Sequence, residues 1–300
     1  LFEICDTYYV MRDGKLVAQG QFADIDEQIA TELMIGRHLA DEEFLHKPYY
    51  GTEEIALSAQ NLSSAAFQDI NFDLHKGEIL AISGLQGSGR DTLADALFGA
   101  ESYTGIIQVN GVTLKQDGGI IDHMKHGIAM VPRSRKERGI HNDLSIYDNL
   151  SMAFLNTKFN GLLINNKTEK ERFARQKQAL AIKTDQPKNP ITSLSGGNQQ
   201  KVILGRWLEA EADILLFDNP TQGIDVGTKF EIYRLIIELA KNGKAIIVFS
   251  SEYPEIHKVA DKCIVLYKGR INATLEREDV TEMSIMYYST GANLEAQKND

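Results

Sequence analysis

The sequence predicts an α/β fold, and three observations carry that expectation. Uninterrupted apolar runs at Ile79–Ser83, Ile214–Asp218 and Ala245–Phe249 read as buried strands. The first of them runs straight into Gly84-Leu85-Gln86-Gly87-Ser88-Gly89 and then a helix-like segment opening at Arg90, which is a strand, a tight loop and a helix in sequence. The stretch from Leu144 to Ile191 is charged and helical in pattern, with Lys167-Thr168-Glu169-Lys170-Glu171-Arg172 opening a long helix.

The 300 residues are 43% hydrophobic and 25% charged, which suits a globular chain with a sizeable core and not a disordered one. Asp and Glu outnumber Lys and Arg by 42 to 32, a formal net charge of −10. A dedicated nucleic-acid binder carries a basic face, so nucleic acid is not an expected partner. Cys5 and Cys263 stand alone, which excludes a disulfide framework and a cysteine zinc site and fits a reducing compartment. No apolar run approaches the ~20 residues of a membrane span, and no signal peptide is read at the start. Any membrane role needs a partner that supplies the spans.

Taken in order, Tyr8-Tyr9-Val10-Met11 followed by Arg12-Asp13-Gly14-Lys15 is a hairpin signal, and Ile264-Val265-Leu266-Tyr267-Lys268-Gly269-Arg270 gives another. Asp6 and Asp261, Gly14 and Gly269, and Gly36 and Gly291 each stand 255 residues apart, and Asp24 with Asp279 and Glu27 with Glu282 keep the same ungapped register. Such fixed-offset similarity predicts tandem copies of about 255 residues. Residues 1–36 are then the tail of a first copy, and 37–53 an acidic linker with Asp41-Glu42-Glu43, Pro48 and Gly51. Residues 54–291 are the complete second copy, and 292–300 a tail.

Within the second copy, Ile55, Leu57 and Leu62, then Ile70, Phe72 and Leu74, alternate as antiparallel strands, and Lys76-Gly77 turns the chain into the first buried run. The loop after that run matches a phosphate-binding loop. Such a loop cradles phosphates with backbone N–H groups, touches the β- and γ-phosphates with a Lys and ligates Mg2+ with a hydroxyl. Arg90 replaces the Lys and Asp91 the hydroxyl. Arg keeps the charge in a larger, planar group, whereas Asp91 could ligate Mg2+ but also sets a negative charge beside the phosphates. Binding is expected from this loop, and efficient chemistry is not. Further on, 105–111 reads as a strand and turn, and Ile128–Val131 as a strand closed by Pro132.

Leu194-Ser195-Gly196-Gly197-Asn198-Gln199-Gln200-Lys201 is a second anion-facing helix start. Ser195 can cap, the glycines admit close approach, and the free N–H groups and dipole favour negative charge. Ile214–Asp218 then sets a carboxylate at a strand end, followed by Asn219-Pro220-Thr221 and Gly223-Ile224-Asp225. Ile232, Leu235, Ile236 and Leu239 mark one helix face, and Ala245–Phe249 leads into Ser250-Ser251-Glu252.

Glycine loop, LSGG, short helix, apolar strand and Asp, in that order, resemble ABC-type ATPases. The wording LSGGNQQK is similar to the signature of ATP-binding subunits of carbohydrate importers of the ribose, galactose and xylose type. The resemblance covers 54–291 as one nucleotide-binding domain and 1–36 as the tail of its twin. It implies a P-loop NTPase fold of ABC type: α/β with a mainly parallel sheet core, an antiparallel β subdomain and an α-helical subdomain on which a membrane subunit docks. It implies ATP and Mg2+ as cofactors. Gly84, Gly87, Ser88, Gly89, Arg90, Asp91 and Thr92 would hold this copy's nucleotide, and Ser195, Gly196, Gly197 and Gln199 the twin's. Asp218, with Asp91, would serve the metal, and Asn219, Glu252 and Asp225 occupy hydrolytic positions.

By the same resemblance, a hydrolytic site has Glu where Asn219 stands and usually His where Glu252 stands. An amide cannot accept a proton from attacking water, and a carboxylate repels a γ-phosphate. The family's second copies carry Pro-Glu-Asp-Arg-Lys where this chain has Pro132-Arg133-Ser134-Arg135-Lys136; Arg133 and Ser134 depart from it, and a solvated basic loop or a role in coupling explains them equally well. The implied function is an ATP-binding and ATP-hydrolysing subunit, peripheral on the cytoplasmic face of the cell membrane. It would energise membrane-spanning permease subunits fed by a solute-binding protein, with this copy degenerate in its loop and intact in its signature. Two alternatives stand beside it: a regulatory module that binds nucleotide without chemistry, and a soluble tandem ABC ATPase acting outside transport.

Overall fold

The computed structural model describes residues 2–12, 15–26, 29–30, 33, 48–158 and 166–292. The repeat anchors Gly14, Glu27 and Gly36, linker residues 37–47 and tail residues 293–300 lie outside the described residues.

A hairpin of β1 (Thr7–Arg12) and β2 (Lys15–Gln21) comes first as its own two-stranded sheet. The cassette follows with β3 (Ile55–Ser63), β4 (Ile70–His75), β5 (Ile79–Ser83), α1 (Arg90–Leu97), β6 (Thr104–Val109), β7 (Val112–Thr113), α2 (Gly119–Lys125) and β8 (Ile128–Val131). Next come α3 (Ile146–Thr157), α4 (Asn166–Ala179), α5 (Gly196–Glu209), β9 (Ile214–Asp218) and α6 (Val226–Lys241). β10 (Ala245–Phe249), α7 (Tyr253–Val259), β11 (Lys262–Tyr267), β12 (Arg270–Glu276) and α8 (Glu282–Ser289) complete it. Within the helical stretch expected over 144–191, the helix expected to open at Lys167 is α4, α3 precedes it, and the signature follows a loop that returns to pair at Ser145–Pro190.

Six strands form the central sheet in the order β12-β11-β5-β10-β9-β8, all pairs parallel except β11–β12. β5, β9 and β10 have no exposed residue, as their continuous apolar runs require. Strand period 2 sends their side chains into two cores. Leu215, Phe217, Ile246 and Val248 meet the helices α3, α5 and α6 on one face, while Ile214, Leu216, Ile247 and Phe249 meet α1 and the antiparallel sheet on the other. That second sheet runs β4-β3-β6-β7. Bulges in β3 break its alternation, so Leu57 and Leu62 are buried while Ile55 is 45% exposed.

The two hairpins are built alike. β1–β2 pairs Thr7 with Gln21 and slips between Val10 and Met11, and β11–β12 pairs Lys262 with Glu276 and slips between Val265 and Leu266. Short 3-10 turns follow at Phe22–Asp24 and Arg277–Asp279. Every one of these positions is related by the offset of 255 residues. Their exposure differs: Tyr9 and Met11 are 71% and 61% exposed, whereas their offset counterparts Ile264 and Leu266 are buried in the central sheet.

The helical layer is tied to the core by a buried guanidinium. Arg206 on α5 donates from Nε to the Asn149 carbonyl at 2.6 Å, from Nη1 to the Gly139 carbonyl at 2.8 Å and from Nη2 to Asn149 Oδ1 at 3.2 Å. Burial pushes its pKa down to about 10. Asn149 has no exposed surface, and its Nδ2 also donates to the carbonyls of His141, Leu144 and Ser145. Asn149→Ala strips partners from several buried groups at once and is expected to cost about 2–3 kcal/mol, read as a lower urea midpoint with an unchanged slope. A shift within error would show that this network contributes nothing to cohesion.

Candidate nucleotide site

Loop 84–89 leaves β5 and delivers the chain to the N-terminus of α1. Gly89, the N-cap, has φ +92°, and a Cβ there would stand 2.5 Å from the Ala66 carbonyl oxygen. Gly84 has φ +150°, and a Cβ there would lie 2.7 Å from the Leu266 carbonyl oxygen. Both positions therefore demand glycine. The β11–β12 turn braces the loop from outside, with Gly269 N–H donating to the Ser88 carbonyl at 2.9 Å. Gly87 is exposed at the tip, Ser88 is buried with its hydroxyl unpartnered, and Thr92 is half-buried in the first turn of α1.

Arg90 is buried and turned inward. Its Nη1 donates to the Gly84 carbonyl at 3.2 Å, and its Nε and Nη2 donate to Asp91 Oδ1 at 3.3 and 3.2 Å. The other oxygen of Asp91, Oδ2, is ion-paired with Arg133 Nη1. Arg133 also reaches the end of β9, where its Nε lies 3.4 Å from Asp218 Oδ2. Asp218 Oδ1 accepts from Asn219 Nδ2 at 2.8 Å. Asp218 has no exposed surface, and burial raises its pKa against the opposing pull of Arg133. At Asp91 burial also pushes upward, but the Arg133 hydrogen bond and the charges of Arg90 and Arg133 outweigh it and hold the carboxyl below its usual range.

This arrangement does not fit Mg2+. The ion takes near-octahedral oxygen ligands at about 2.0–2.1 Å, yet both oxygens of Asp91 and Oδ1 of Asp218 are taken by nitrogen donors of Arg90, Arg133 or Asn219, and the buried Asp218 Oδ2, which accepts no hydrogen bond, has the Arg133 Nε charge 3.4 Å away. Asp91 and Asp218, the residues expected at the metal, form an ion-pair cluster around Arg133. Arg133 itself, open between a solvated loop and a coupling role on sequence grounds, is the centre of that cluster.

The loop carrying Arg133 gathers the rest of the site. Arg138 forks onto Asp95 of α1 at 2.7 and 3.2 Å, and the Gly139 carbonyl accepts from Arg206. Arg135 lies over the signature, its Nη1 and Nη2 3.1 Å from where a Cβ on Gly196 would stand. Ser195 occupies the N-cap of α5 but makes no side-chain cap; its Oγ accepts instead from Asn198 Nδ2 at 2.9 Å. Gly197 packs so closely on α6 that a Cβ would meet Thr228 Cγ2 at 2.3 Å. Gln199 is buried, with Nε2 donating to the carbonyls of Ile191 and Leu194 at 3.2 and 3.1 Å, so its amide pins the approach to the signature rather than facing a ligand.

The positions after β9 are equally committed. Asn219 adopts φ +45°, a left-handed conformation that Asn tolerates better than most residues. Asp225 is the N-cap of α6, accepting from Thr228 N–H at 2.9 Å and Thr228 Oγ1 at 2.8 Å. Glu252 accepts from Lys229 Nζ at 2.8 Å. The sequence reading missed Glu255, whose 1% exposed carboxyl accepts from Thr221 Oγ1 at 2.9 Å. A Glu at helical spacing carries no local signal of burial.

Burial raises the Glu255 pKa, with the Ser250 and Thr221 hydrogen bonds opposing. A carboxyl titrating higher in the fold than in the unfolded chain favours the fold where both states are protonated, and that contribution is lost as pH rises through the folded pKa. Glu255→Gln keeps a neutral acceptor, so its stability relative to wild type is expected to climb as pH rises above the ordinary carboxylate range. Urea midpoints across that rise check this, and a pH-independent difference would refute it.

With the geometry in place, comparison with known proteins gives a consistent answer. The ABC transporter family matches residues 67–222. A ribose/galactose/methyl galactoside import ATP-binding protein of Geobacillus kaustophilus is 39% identical across 99% of this chain and 59% of its own length. The ribose import ATP-binding protein RbsA of Oceanobacillus iheyensis is 38% identical across 98% of this chain and 59% of its own length. The chain thus spans less than two thirds of these relatives. Among solved structures, a dimeric ATP-binding cassette bound to ADP and Pi superposes with TM-score 0.64 at 20% identity, covering 74% of this chain and 98% of that one. The cbiO1 subunit from Clostridium perfringens gives TM-score 0.65 at 21% identity, covering 82% and 98%. Glycine loop, signature helix and buried strand-end carboxylate, set on this mixed sheet, place the chain in the ABC transporter family.

Proposed function

We propose that this cassette binds ATP as part of the ATP-binding subunit of a carbohydrate ABC importer, and that this copy holds nucleotide more than it hydrolyses it. The observation that carries the reading is the junction 84–92, where two glycines required by close backbone approach set the N-terminus of α1 behind the exposed tip at Gly87, with the buried Arg90 guanidinium beneath the loop on the Gly84 carbonyl. Backbone N–H groups and a guanidinium suit polyphosphate. The chain's similarity to ribose and galactose import ATP-binding proteins supports the solute class.

Weak chemistry follows from the side chains after β9. The amide of Asn219 donates to Asp218 and cannot take a proton from water, and Glu252 is paired with Lys229. No residue at these two positions is poised as a base. The shared register and matching slip of the two hairpins support a tandem polypeptide in which a first cassette ends at β1–β2. In that arrangement Ser195, Gly196 and Gly197 would complete the twin's site. Docking to a permease, on the cytoplasmic face of the membrane, is supported by a cleft of about 270 Å3 between the core and the helical layer, lined by Phe98, Met124, Met130, Met152 and Trp207. Methionine-rich walls adapt to an inserted apolar segment. Among the described residues no helix is long and apolar enough to cross a membrane.

A fluorescent ATP analogue is expected to saturate the chain, with Arg90→Ala weakening binding by about tenfold through loss of a charge-assisted contact. Absence of binding up to millimolar nucleotide would overturn the reading. In the full-length tandem protein, Ser195→Arg is expected to remove most ATPase activity while Arg90→Ala removes less. Ser195 is exposed, so its substitution reports on the site; Gly197 is a poorer probe because any side chain collides with Thr228. Full activity in the Ser195→Arg protein would sink the division of labour.

A further inference from the structure

We propose that Arg133 is the built-in counter-cation of this site, standing between Asp91 and Asp218 in the role a divalent metal would take, so that nucleotide binds here without a requirement for Mg2+. This rests on the reading of loop 84–89 as a nucleotide site. The guanidinium spans the two carboxylates, with Nη1 on Asp91 Oδ2 and Nε 3.4 Å from Asp218 Oδ2. Asp91 and Arg133, one departure from the phosphate-loop pattern and one from the second-copy pattern, carry opposite charges and are bound to each other, so each compensates the other's charge.

Charge balance makes the arrangement self-contained. Asp91 and Asp218 bring two negative charges, and Arg90 and Arg133 bring two fixed positive ones. A guanidinium does not lose its proton in this range, so the balance holds at any physiological pH. A divalent ion entering the cluster would have to displace Arg133 from both carboxylates and leave it beside a like charge, an unfavourable exchange at a site whose Asp218 is fully buried. A phosphate group, by contrast, needs no displacement of metal-like charge. Arg133 is about a third exposed beside the loop, where a guanidinium with its five N–H donors can add a phosphate oxygen to the contacts it already makes.

Site-specific binding tests this. The full chain is photolabelled with 8-azido-ATP, the label is assigned to this cassette by peptide mapping, and the half-saturating concentration is measured in MgCl2 and in EDTA. For wild type the two values are expected to agree within about threefold. For Arg133→Gln, which uncovers Oδ2 of each carboxylate to repel phosphate or to take metal, binding in EDTA is expected to be at least about tenfold weaker than in MgCl2. The double variant Asp91→Thr with Arg133→Gln should show the same metal dependence with a smaller loss in EDTA, since one repelling charge is gone. Wild-type labelling that collapses on chelation overturns the Arg133 proposal while leaving the nucleotide site standing. No labelling in either condition overturns both.

Discussion

Asp218 ends a strand that has no exposed residue, and a carboxylate in that setting must be compensated or neutralised. The fold does this from two directions: Asn219 Nδ2 donates to one oxygen, and the Arg133 guanidinium faces the other. Arg133 in turn needs a second carboxylate within reach, and Asp91 supplies it from the start of α1. The geometry of the glycine loop, the strand end and the loop after β8 is thereby locked through one charged cluster.

From that cluster the loop at 133–139 reaches outward to every element of the site. Arg135 covers the start of the signature helix, Arg138 holds Asp95 on α1, and the Gly139 carbonyl receives the buried Arg206 of α5. The segment holds three arginines, Arg133, Arg135 and Arg138, and its glycine carbonyl receives a fourth from α5, Arg206.

The same residues underlie the proposal that this cassette holds nucleotide more than it hydrolyses it. The glycines that shape the loop are retained and sterically enforced, so the phosphate cradle persists. The side chains that would activate water are replaced by an amide bonded to Asp218 and by a carboxylate paired with Lys229. The signature helix, meanwhile, is held by packing against Thr228 and by the inward amide of Gln199. Its start keeps an open N-terminus with an exposed Ser195, which can serve another nucleotide than the one bound at loop 84–89.

Much of this was legible in the sequence because the signals are local. Buried strands announce themselves as apolar runs, and the loop as glycines between a strand and a helix. What the sequence could not settle depends on groups brought together from distant segments. Gln199 was read as a ligand contact, but its amide turns back onto Ile191 and Leu194; Ser195 was read as a cap, but Asn198 takes its hydroxyl. Nothing local to Asp91 or Asp218 shows that Arg133 stands between them. The backbone pattern was fixed by propensity and hydrophobic periodicity acting over a few residues. The charge balance of the site was decided only by tertiary packing, because electrostatic partners are set by distance in space and not along the chain.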